Sequence, residues 1–430
     1  MDSSWLWATV RVTAHTPLEA LRLQLERSRI RPLDLHIRFE ASKESLTQPT
    51  PVSFALSVLD ILLDHLPRWR QLRIVSPFPK LVGAMLARLG GTGLRAPILE
   101  VLEVDCPFHS ILLGGNPNGY PRPFPGGAPR LQHIRLDHCG FSLSADEPFP
   151  QLTSFEIASA PWTLVDLHSL ATTSPRLTYL SVRSSYKLEA NVELHFPALR
   201  FLKIGDYFQN DTILRVLHAP ALEVLQIEEM EIEHYSLAGR YIDALRGETY
   251  EGTPQGKFPR LRSLRLHMTG RPEEPSPLIV GARLGEFLGL FPSIVHLAFA
   301  GFHVHAFAQG FLELMQAPSV LSSPAAGVLP RLEHLTLGTD QEHESAAFVN
   351  GWGPLLFDMV RAIVVARRAA GRPLKKVQVP PPVLVRLRRV LGTRLMLKRL
   401  EQLPGVDLEG VQMPFTSDVW LGYRWALRVH

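Results

Sequence analysis

The chain has 430 residues, of which 46% are hydrophobic and 20% charged, so it is globular and long enough to build a large core. Its two cysteines, Cys106 and Cys139, exclude a disulfide framework and indicate a reducing compartment, which we expect to be cytoplasmic or nuclear. The net charge is only +4, the opening residues MDSSWLWATVRV predict no signal peptide, and the most apolar helical stretch, 354–366, is too short and too charged to span a bilayer.

Two strands and one helix are predicted before residue 40. Strands are expected at Leu6–Val12 and Leu33–Phe39, and Pro17–Arg27 between them has the apolar spacing of an amphipathic helix. We interpret this strand-helix-strand segment, residues 1–40, as the start of the fold that the rest of the chain continues.

A phrase of the form Pro-x-Leu-x-x-Leu-x-aliphatic then recurs, for example as FPALRFLKI at 196–204 and FPRLRSLRL at 258–266. Counted from the proline, positions +2, +5 and +7 are apolar in all ten copies. The copies begin at Pro67, Pro97, Pro129, Pro150, Pro175, Pro197, Pro220, Pro259, Pro292 and Pro330. A degenerate eleventh copy, shorter by one residue, begins at Pro373.

The spacing of the repeated phrase predicts a strand in every copy. Positions +5 and +7 are two residues apart and therefore point to the same face of a strand. Position +2 lies three residues before +5, where the chain turns into that strand. This is the LxxLxL pattern of a leucine-rich repeat. Because proline disfavours helix in the residue before it, each proline marks the passage from an outer helix to an inner strand. The helices are predicted at Ser53–Leu66, Pro79–Leu89, Asp166–Thr173, Asp211–His218, Tyr235–Arg246, Ala282–Phe291 and Ala306–Gln316.

The predicted fold class is therefore α/β, a right-handed leucine-rich-repeat solenoid with parallel inner strands, outer helices and irregular loops. The irregular repeats occupy residues 41–345. Helices predicted at Ala346–Ala369 and Val383–Leu403 form a basic C-terminal cap, residues 346–430, which closes the apolar end of the solenoid.

Side chains at positions +4, +6 and +8 lie on the opposite side of each strand, and we predict that this side binds a partner. Tyr179, Phe201 and Val224 share the +4 row on consecutive strands about 4.8 Å apart, bordered by basic residues, as is typical of the centre of an interface. A packing ladder covered by a loop explains the same row. The predicted partner-binding residues are His133, Arg135, Tyr179, Arg183, Phe201, Lys203, Val224, Arg265 and His267.

No catalytic motif is present in the sequence, which has no GxxxxGK[ST], no strand-borne GxGxxG and no GxSxG. The Gly- and Pro-rich loop 114–127 lacks the Lys-Ser/Thr pair that holds a phosphate and is interpreted as an insertion. The closely spaced histidines, His303 with His305 and His133 with His138, lack a carboxylate or cysteine cluster at metal-ligand spacing. The sequence therefore predicts a non-catalytic protein without cofactor or metal.

The two cysteines are interpreted as structural. Cys139 follows Leu131, Ile134 and Leu136 at the Asn/Cys position of the repeat consensus, where a small polar group satisfies loop backbone. Cys106 lies near the same position one repeat earlier.

A strongly basic segment runs from Arg361 to Arg399, with twelve Lys and Arg and no Asp or Glu, so the rest of the chain carries a net charge of −8. Within it, LVRLRRVLGTRLMLKRL (384–400) has the leucine spacing of an amphipathic helix. Such a helix can bind anionic lipid, nucleic acid or an acidic protein, or it can be a solvated cap that balances the acidic body. The sequence leaves these alternatives open.

The N-terminal segments WLWATVRV (5–12), LERS (25–28) and PLDLHI (32–37) resemble the region just after the F-box in F-box/leucine-rich-repeat proteins of mushroom-type fungi. In that family a strand after an LW pair closes the F-box region, and a helix and a PLxLxI strand then begin the solenoid. The repeated proline phrases are similar as well, so the resemblance covers most of the chain.

The resemblance implies a protein-recognition module, the substrate-binding half of an F-box-type ubiquitin-ligase adaptor. In that family an upstream F-box docks on the ligase adaptor, whereas only residues 1–4 precede Trp5 in this sequence, so the adaptor is an expected partner only with an F-box upstream. The expected partner is a protein of acidic character. The alternative is a basic-surface binder that takes nucleic acid or anionic membrane through residues 361–399.

Overall fold

The structure is a computed structural model, and its residues form two compact units, Met1–Ala221 and Leu222–His430. Both units are α/β and each contains parallel strands. The structure describes residues 3–40, 52–106, 122–139, 149–158, 164–183, 192–205, 210–231, 241–246, 256–269, 285–301, 311–312, 329–337 and 360–378.

Among its described residues, the first unit has a sheet of eight parallel strands, which are hydrogen-bonded side by side in the order in which they occur along the chain. From the third strand onward the +5 residues of neighbouring repeats pair with one another, for example Leu72 with Leu102 and Leu180 with Leu202. The predicted strand register is therefore confirmed. The strands are β1 (Thr9–Val12), β2 (Leu33–Arg38), β3 (Trp69–Val75), β4 (Val101–Asp105), β5 (His133–Asp137), β6 (Ser154–Ala158), β7 (Tyr179–Arg183) and β9 (Phe201–Gly205).

The start of the chain corrects one prediction. Residues 4–7 form a 3₁₀ helix, Ser4–Trp7, and the first strand begins only at Thr9. Trp5 and Leu6 are 65% and 56% exposed, so these apolar side chains do not alternate between a buried and an exposed side as strand residues would.

The helices of the first unit bury apolar side chains. The predicted helix at Pro79–Leu89 is observed with the same bounds, and Pro79 occupies its first turn, where the missing N–H is tolerated. The helix predicted to end at His218 ends at Val216 instead, because Leu217–His218 pairs in parallel with Leu194–His195. The helices are α1 (Leu18–Arg27), α2 (Val52–Leu63), α3 (Pro79–Leu89), α4 (Leu164–Thr173) and α5 (Asn210–Val216), and the short strands are β8 (Leu194–His195) and β10 (Leu217–His218).

The second unit repeats this arrangement with five parallel strands. The degenerate copy at Pro373 contributes the last strand, and its Val377 pairs with Leu335 of the preceding repeat. Helical residues lie at 241–245, 285–289, 311–312 and 360–369. The strands are β11 (Val224–Glu231), β12 (Ser263–Thr269), β13 (His296–Gly301), β14 (His334–Leu337) and β15 (Lys376–Gln378).

The core of both units includes the repeat positions +2, +5 and +7, all of which are buried in all ten copies. Trp69 at +2 of the first copy is fully buried, and its indole N–H donates a hydrogen bond to the carbonyl oxygen of Leu62 at 3.1 Å. This bond satisfies the polar end of a large apolar side chain. The proline phrase therefore marks the core strand by strand.

Several predictions fall wholly or partly outside the residues that the structure describes. They concern 114–121 of the loop, His303 and His305, residues 235–240 and 282–284, most of 306–316, residues 346–359 and the helix at 383–403. The domain boundaries at 40 and 345 stay predictions. Among the described residues, no helix combines the length and the apolar character that crossing a membrane requires.

Candidate functional site

The candidate site is the strand face of the first unit, defined as the side of its sheet that carries the +4, +6 and +8 residues of strands β3–β7 and β9. Strand pairing places these residues in three rows. The +4 row holds Gln71, Val101, His133, Ser154, Tyr179 and Phe201; the +6 row holds Arg73, Glu103, Arg135, Glu156, Ser181 and Lys203; the +8 row holds Val75, Asp105, Asp137, Ala158, Arg183 and Gly205. Most of these side chains are half-buried, whereas the opposite side is fully apolar and buried.

An aromatic pair lies in the +4 row. The rings of Tyr179 and Phe201 stack with centroids 4.7 Å apart and planes inclined by 23°. Phe201 is half-buried, but Tyr179 is only 7% exposed, so the predicted open aromatic row is wrong at Tyr179. One physical reason for the burial of Tyr179 is the stack itself, because the Phe201 ring covers one face of the Tyr179 ring. Phe201 is therefore the aromatic side chain of this pair that a partner can reach.

Opposite charges alternate along the +6 row. Arg73 lies 2.6 Å from Glu103, measured between Nε and Oε2, and the other oxygen of Glu103 lies 3.8 Å from Nε2 of His133. His133 also bonds through Nδ1 to the hydroxyl of Ser154 at 2.9 Å. These contacts fix the orientation of His133, one of the predicted binding residues, in the middle of the face.

Glu156 is the buried carboxyl of the +6 row, with 8% of its surface exposed. Loss of hydration on burial raises its pKa to about 7, against the opposing influence of Arg135 and Lys203. The nearest approach of Arg135 Nε to Glu156 Oε2 is 3.9 Å, too long for the direct charge-assisted hydrogen bond that would compensate for burial. The face therefore carries a carboxyl that changes its charge near neutral pH.

Two basic side chains flank the aromatic pair, as predicted. Arg183 lies in register between Ala158 and Gly205, and Lys203 lies in register with Ser181, so each has a small neighbour. Both basic side chains are half-buried. Phe201, Lys203 and Arg183 thus lie on the same side of the neighbouring strands β9 and β7, at the +4, +6 and +8 positions.

The corresponding side of the second unit is more buried than predicted. His267 is 9% exposed, whereas Val224 and Arg265 are half-buried. Ala298 and Ala300, at the +6 and +8 positions of β13, are fully buried. His267, which was predicted to bind a partner, is therefore buried, and the alanines at +6 and +8 of β13 were a sequence signal of this low exposure.

A chain of polar side chains crosses this side of the second unit. His296 bonds through Nδ1 to the Ser263 hydroxyl at 3.4 Å and through Nε2 to the Thr336 hydroxyl at 2.9 Å. The Thr336 hydroxyl donates its one proton to Gln378 Oε1 at 3.1 Å. It must therefore accept the hydrogen bond from His296, which means that Nε2 of His296 carries the proton. Burial, reinforced by Arg265 and His334, lowers the pKa of His296 to about 4. His296 is therefore a neutral connector between strands.

The cysteines agree with their structural interpretation. Both thiols are free and buried, and Cys139 Sγ lies 3.7 Å from the carbonyl oxygen of Val104, to which it donates. Burial raises the pKa of the Cys139 thiol. Because the thiolate is the reactive form, this environment disfavours a nucleophilic role.

The described part of the basic segment, 361–378, is not a uniform surface charge. Arg367 is 5% exposed and donates to the carbonyl oxygens of Leu329 and Leu332 at 2.9 and 2.8 Å. Lys375 pairs with Glu333 at 2.7 Å, whereas Arg361 and Arg368 are exposed. Part of the positive charge between 361 and 378 therefore serves packing and pairing.

One cluster was missed by the sequence analysis. Glu193, His195 and His218 offer ligand atoms that all lie within 4.8 Å of one another, on exposed side chains of the first unit. A signal was available, because His195 and His218 both stand two residues before a repeat proline, in LHFP and LHAP. Equal repeat positions on neighbouring repeats become neighbours in space.

A cavity of about 410 Å³ lies in the second unit. Its lining includes Arg260, Arg262 and Arg331 together with Glu223. Small-molecule sites are mostly lined by apolar and aromatic side chains, so this polar groove does not have the make-up of a substrate pocket.

Comparisons with known proteins add no information about this site. The chain matches no protein-family model, and no curated protein matches it.

Proposed function

We propose that the chain is an irregular leucine-rich-repeat protein that recognises another protein through the strand face of its first unit. In keeping with the N-terminal resemblance, the bound protein would be the substrate of an F-box-type ubiquitin-ligase adaptor. The ligase adaptor itself would be a partner only of a chain that carries an F-box.

The repeat register supports this proposal. Ten copies of one phrase place their apolar residues in the core and leave +4, +6 and +8 free to vary. Within the face these positions hold acids, bases, aromatics and small polar residues rather than one repeated type. A scaffold that repeats its core and varies one side is suited to recognition of a large surface.

The observation that carries the proposal is that Phe201 lies on the same side of two neighbouring strands as Arg183 and Lys203. A half-buried aromatic side chain, held in place by its stack on Tyr179, offers contact area with little freedom to lose on binding. Aromatic and arginine side chains are the residues that dominate interface energetics. The adjacent positive charges favour an acidic partner and speed its association.

A photo-crosslinking experiment tests the proposal. The photoreactive analogue p-benzoylphenylalanine replaces Phe201 in one protein and Leu23 in a control, since Leu23 is a 46% exposed apolar residue on α1. Each protein is irradiated in a lysate of the source organism, and the adducts are identified by mass spectrometry. We expect a specific adduct from position 201 that position 23 does not give.

The captured protein is then purified and its affinity measured. Phe201→Ala should weaken binding by about 2 kcal/mol or more, roughly 30-fold, and Lys203→Ala should mainly slow association and reduce its salt dependence. Binding that survives Phe201→Ala but is lost when Arg388, Arg389 and Lys398 are neutralised would refute the proposal and favour the basic segment. Equal adducts from positions 201 and 23 would also refute it.

A further inference from the structure

We propose that Glu193, His195 and His218 form a binding site for a divalent cation of the zinc class. This group is called the β8–β10 cluster. The proposal concerns a surface apart from the strand face and does not depend on protein recognition there.

The backbone holds the two histidines side by side. β8 and β10 pair in parallel, with Leu194 opposite Leu217 and His195 opposite His218. Both leucines are fully buried, so the alternation of a strand directs both histidines outward, and both are exposed. A backbone hydrogen bond of 2.9 Å from Phe196 N to His218 O continues the pairing beyond the histidines.

Glu193 adds a carboxylate to the same side. It stands two residues before His195, which is the spacing that brings strand side chains to one side. Its Oε2 lies 3.1 Å from Nε2 of His195 and 3.9 Å from Nε2 of His218. The two imidazole rings are stacked, with centroids 4.7 Å apart and planes only 9° from parallel. Both Nε2 atoms therefore approach one carboxylate oxygen.

These distances suit a shared metal ion. With Zn–N and Zn–O bonds of about 2.0–2.1 Å, tetrahedral ligand atoms lie roughly 3.3 Å apart. The measured separations of 3.1 and 3.9 Å bracket this value. Because the two rings are nearly parallel, the imidazoles must rotate for both Nε2 lone pairs to point at one ion, and exposed side chains can make this rotation. Coordination through Nε2 leaves the proton on Nδ1 of each histidine.

The donor set selects the kind of cation. Two imidazoles with one carboxylate suit zinc and its neighbours cobalt, nickel and copper, whereas calcium and magnesium prefer oxygen ligands throughout. Three protein ligands leave a fourth position for water in a tetrahedral site. His168 of α4 contacts the Glu193 backbone, with Nδ1 3.1 Å from the carbonyl oxygen, and so helps to hold the segment that enters β8. β8 and β10 pair over only two residues each. An ion bound by residues of both strands would add a second connection between them.

Isothermal titration calorimetry of the 430-residue chain with Zn²⁺ tests this site. The variants are His195→Gln/His218→Gln and Glu193→Gln, and His15→Ala is the control because His15 is an exposed histidine between β1 and α1. Since even outer-shell partners are worth about 10–100-fold in metal affinity, loss of a ligand should weaken one Zn²⁺ equivalent at least tenfold. The His15→Ala protein should bind that equivalent as the wild type does.

Co²⁺ provides a second readout. Bound to wild-type protein, it should give a visible absorption band that Zn²⁺ displaces, and Glu193→Gln should weaken or shift this band without removing an imidazole. Glu193→Gln keeps the size of the side chain, so it reports on the site even where the double histidine variant does not fold. Equal Zn²⁺ affinity and stoichiometry in the wild type and the folded cluster variants would overturn the proposal and leave a hydrogen-bonded acid–histidine group only.

Discussion

The rings of Tyr179 and Phe201 stack 4.7 Å apart between neighbouring parallel strands, and yet Tyr179 is 7% exposed while Phe201 is half-buried. The two residues of the pair therefore have different roles. Tyr179 contributes to the stability of the sheet, and Phe201 presents the outer ring of the stack.

This division predicts unequal effects of truncation. Tyr179→Ala should lower the free energy of unfolding by about 3 kcal/mol or more, because it removes a large buried side chain and leaves a cavity. Phe201→Ala should cost only about 1–2 kcal/mol, since it loses the stack and part of its burial. Urea denaturation of the two purified variants measures both values.

Lys203→Ala, on the same strand as Phe201, is the matched control and should change stability by no more than about 0.5 kcal/mol. Should Phe201→Ala prevent folding, Phe201 is a core residue and its role in an interface is lost.

A second prediction concerns the register of the repeat. Leu202 is fully buried at position +5, and its neighbour Lys203 is half-buried on the opposite side of β9. Leu202→Ala should cost about 2–5 kcal/mol as a core truncation. Thermal and urea unfolding, compared with the Lys203→Ala protein, measure the difference. Equal losses in the two variants would contradict the register.

The strands could be predicted from the sequence because one residue type, proline, occurs at a fixed offset from three buried positions. In the degenerate copy Val377 stands one residue closer to its proline, Pro373, and still pairs with Leu335. Residues 6–8 were wrongly assigned to the first strand because Leu6 is apolar but exposed, and hydropathy alone does not distinguish an exposed apolar residue from a core residue.

The sites were harder to predict than the strands. β8 and β10 are two residues long, too short to show any periodicity, and their pairing depends on how two repeats stack. The burial of Tyr179 depends on a ring contributed by the next repeat, which a single strand pattern does not contain. Contacts between side chains of neighbouring repeats can therefore be predicted from the sequence only when the repeats are compared position by position.

A third prediction concerns Arg367, whose guanidinium is buried in the second unit. It donates to the carbonyl oxygens of Leu329, Leu332 and Arg372 at 2.9, 2.8 and 3.1 Å. Leu329 has a positive φ of 58°, a left-handed conformation that costs a residue with a side chain about 1 kcal/mol and that this hydrogen bond helps to hold. Arg367→Met should therefore destabilise the protein by about 3 kcal/mol, as buried carbonyls lose their donors.

Arg368→Met is the control for this variant, since Arg368 is the exposed neighbour in sequence and has the same charge. Its unfolding free energy should stay within about 0.5 kcal/mol of the wild type. Similar destabilisation by both substitutions, measured in urea, would mean that charge rather than the three hydrogen bonds stabilises this region.

The last prediction concerns the pH dependence of stability through Glu156. Its pKa is raised by burial from 4.5 to about 7, so the folded state holds a proton that the unfolded chain releases. The contribution of this proton to stability is therefore full below about pH 4.5 and is lost as the pH rises to about 7. The loss amounts to about 3 kcal/mol, at roughly 1.4 kcal/mol per pKa unit.

Glu156→Gln keeps the size of the side chain and removes the titration. The variant should match the wild type near pH 4.5 and become more stable than it by up to about 3 kcal/mol at pH 8. His296, with its lowered pKa, gives the opposite slope as pH falls, but it is present in both proteins and cancels in the difference. Urea unfolding of both proteins from pH 4.5 to pH 8 measures this difference. A difference independent of pH would show that Glu156 is ionised in the folded protein throughout this range.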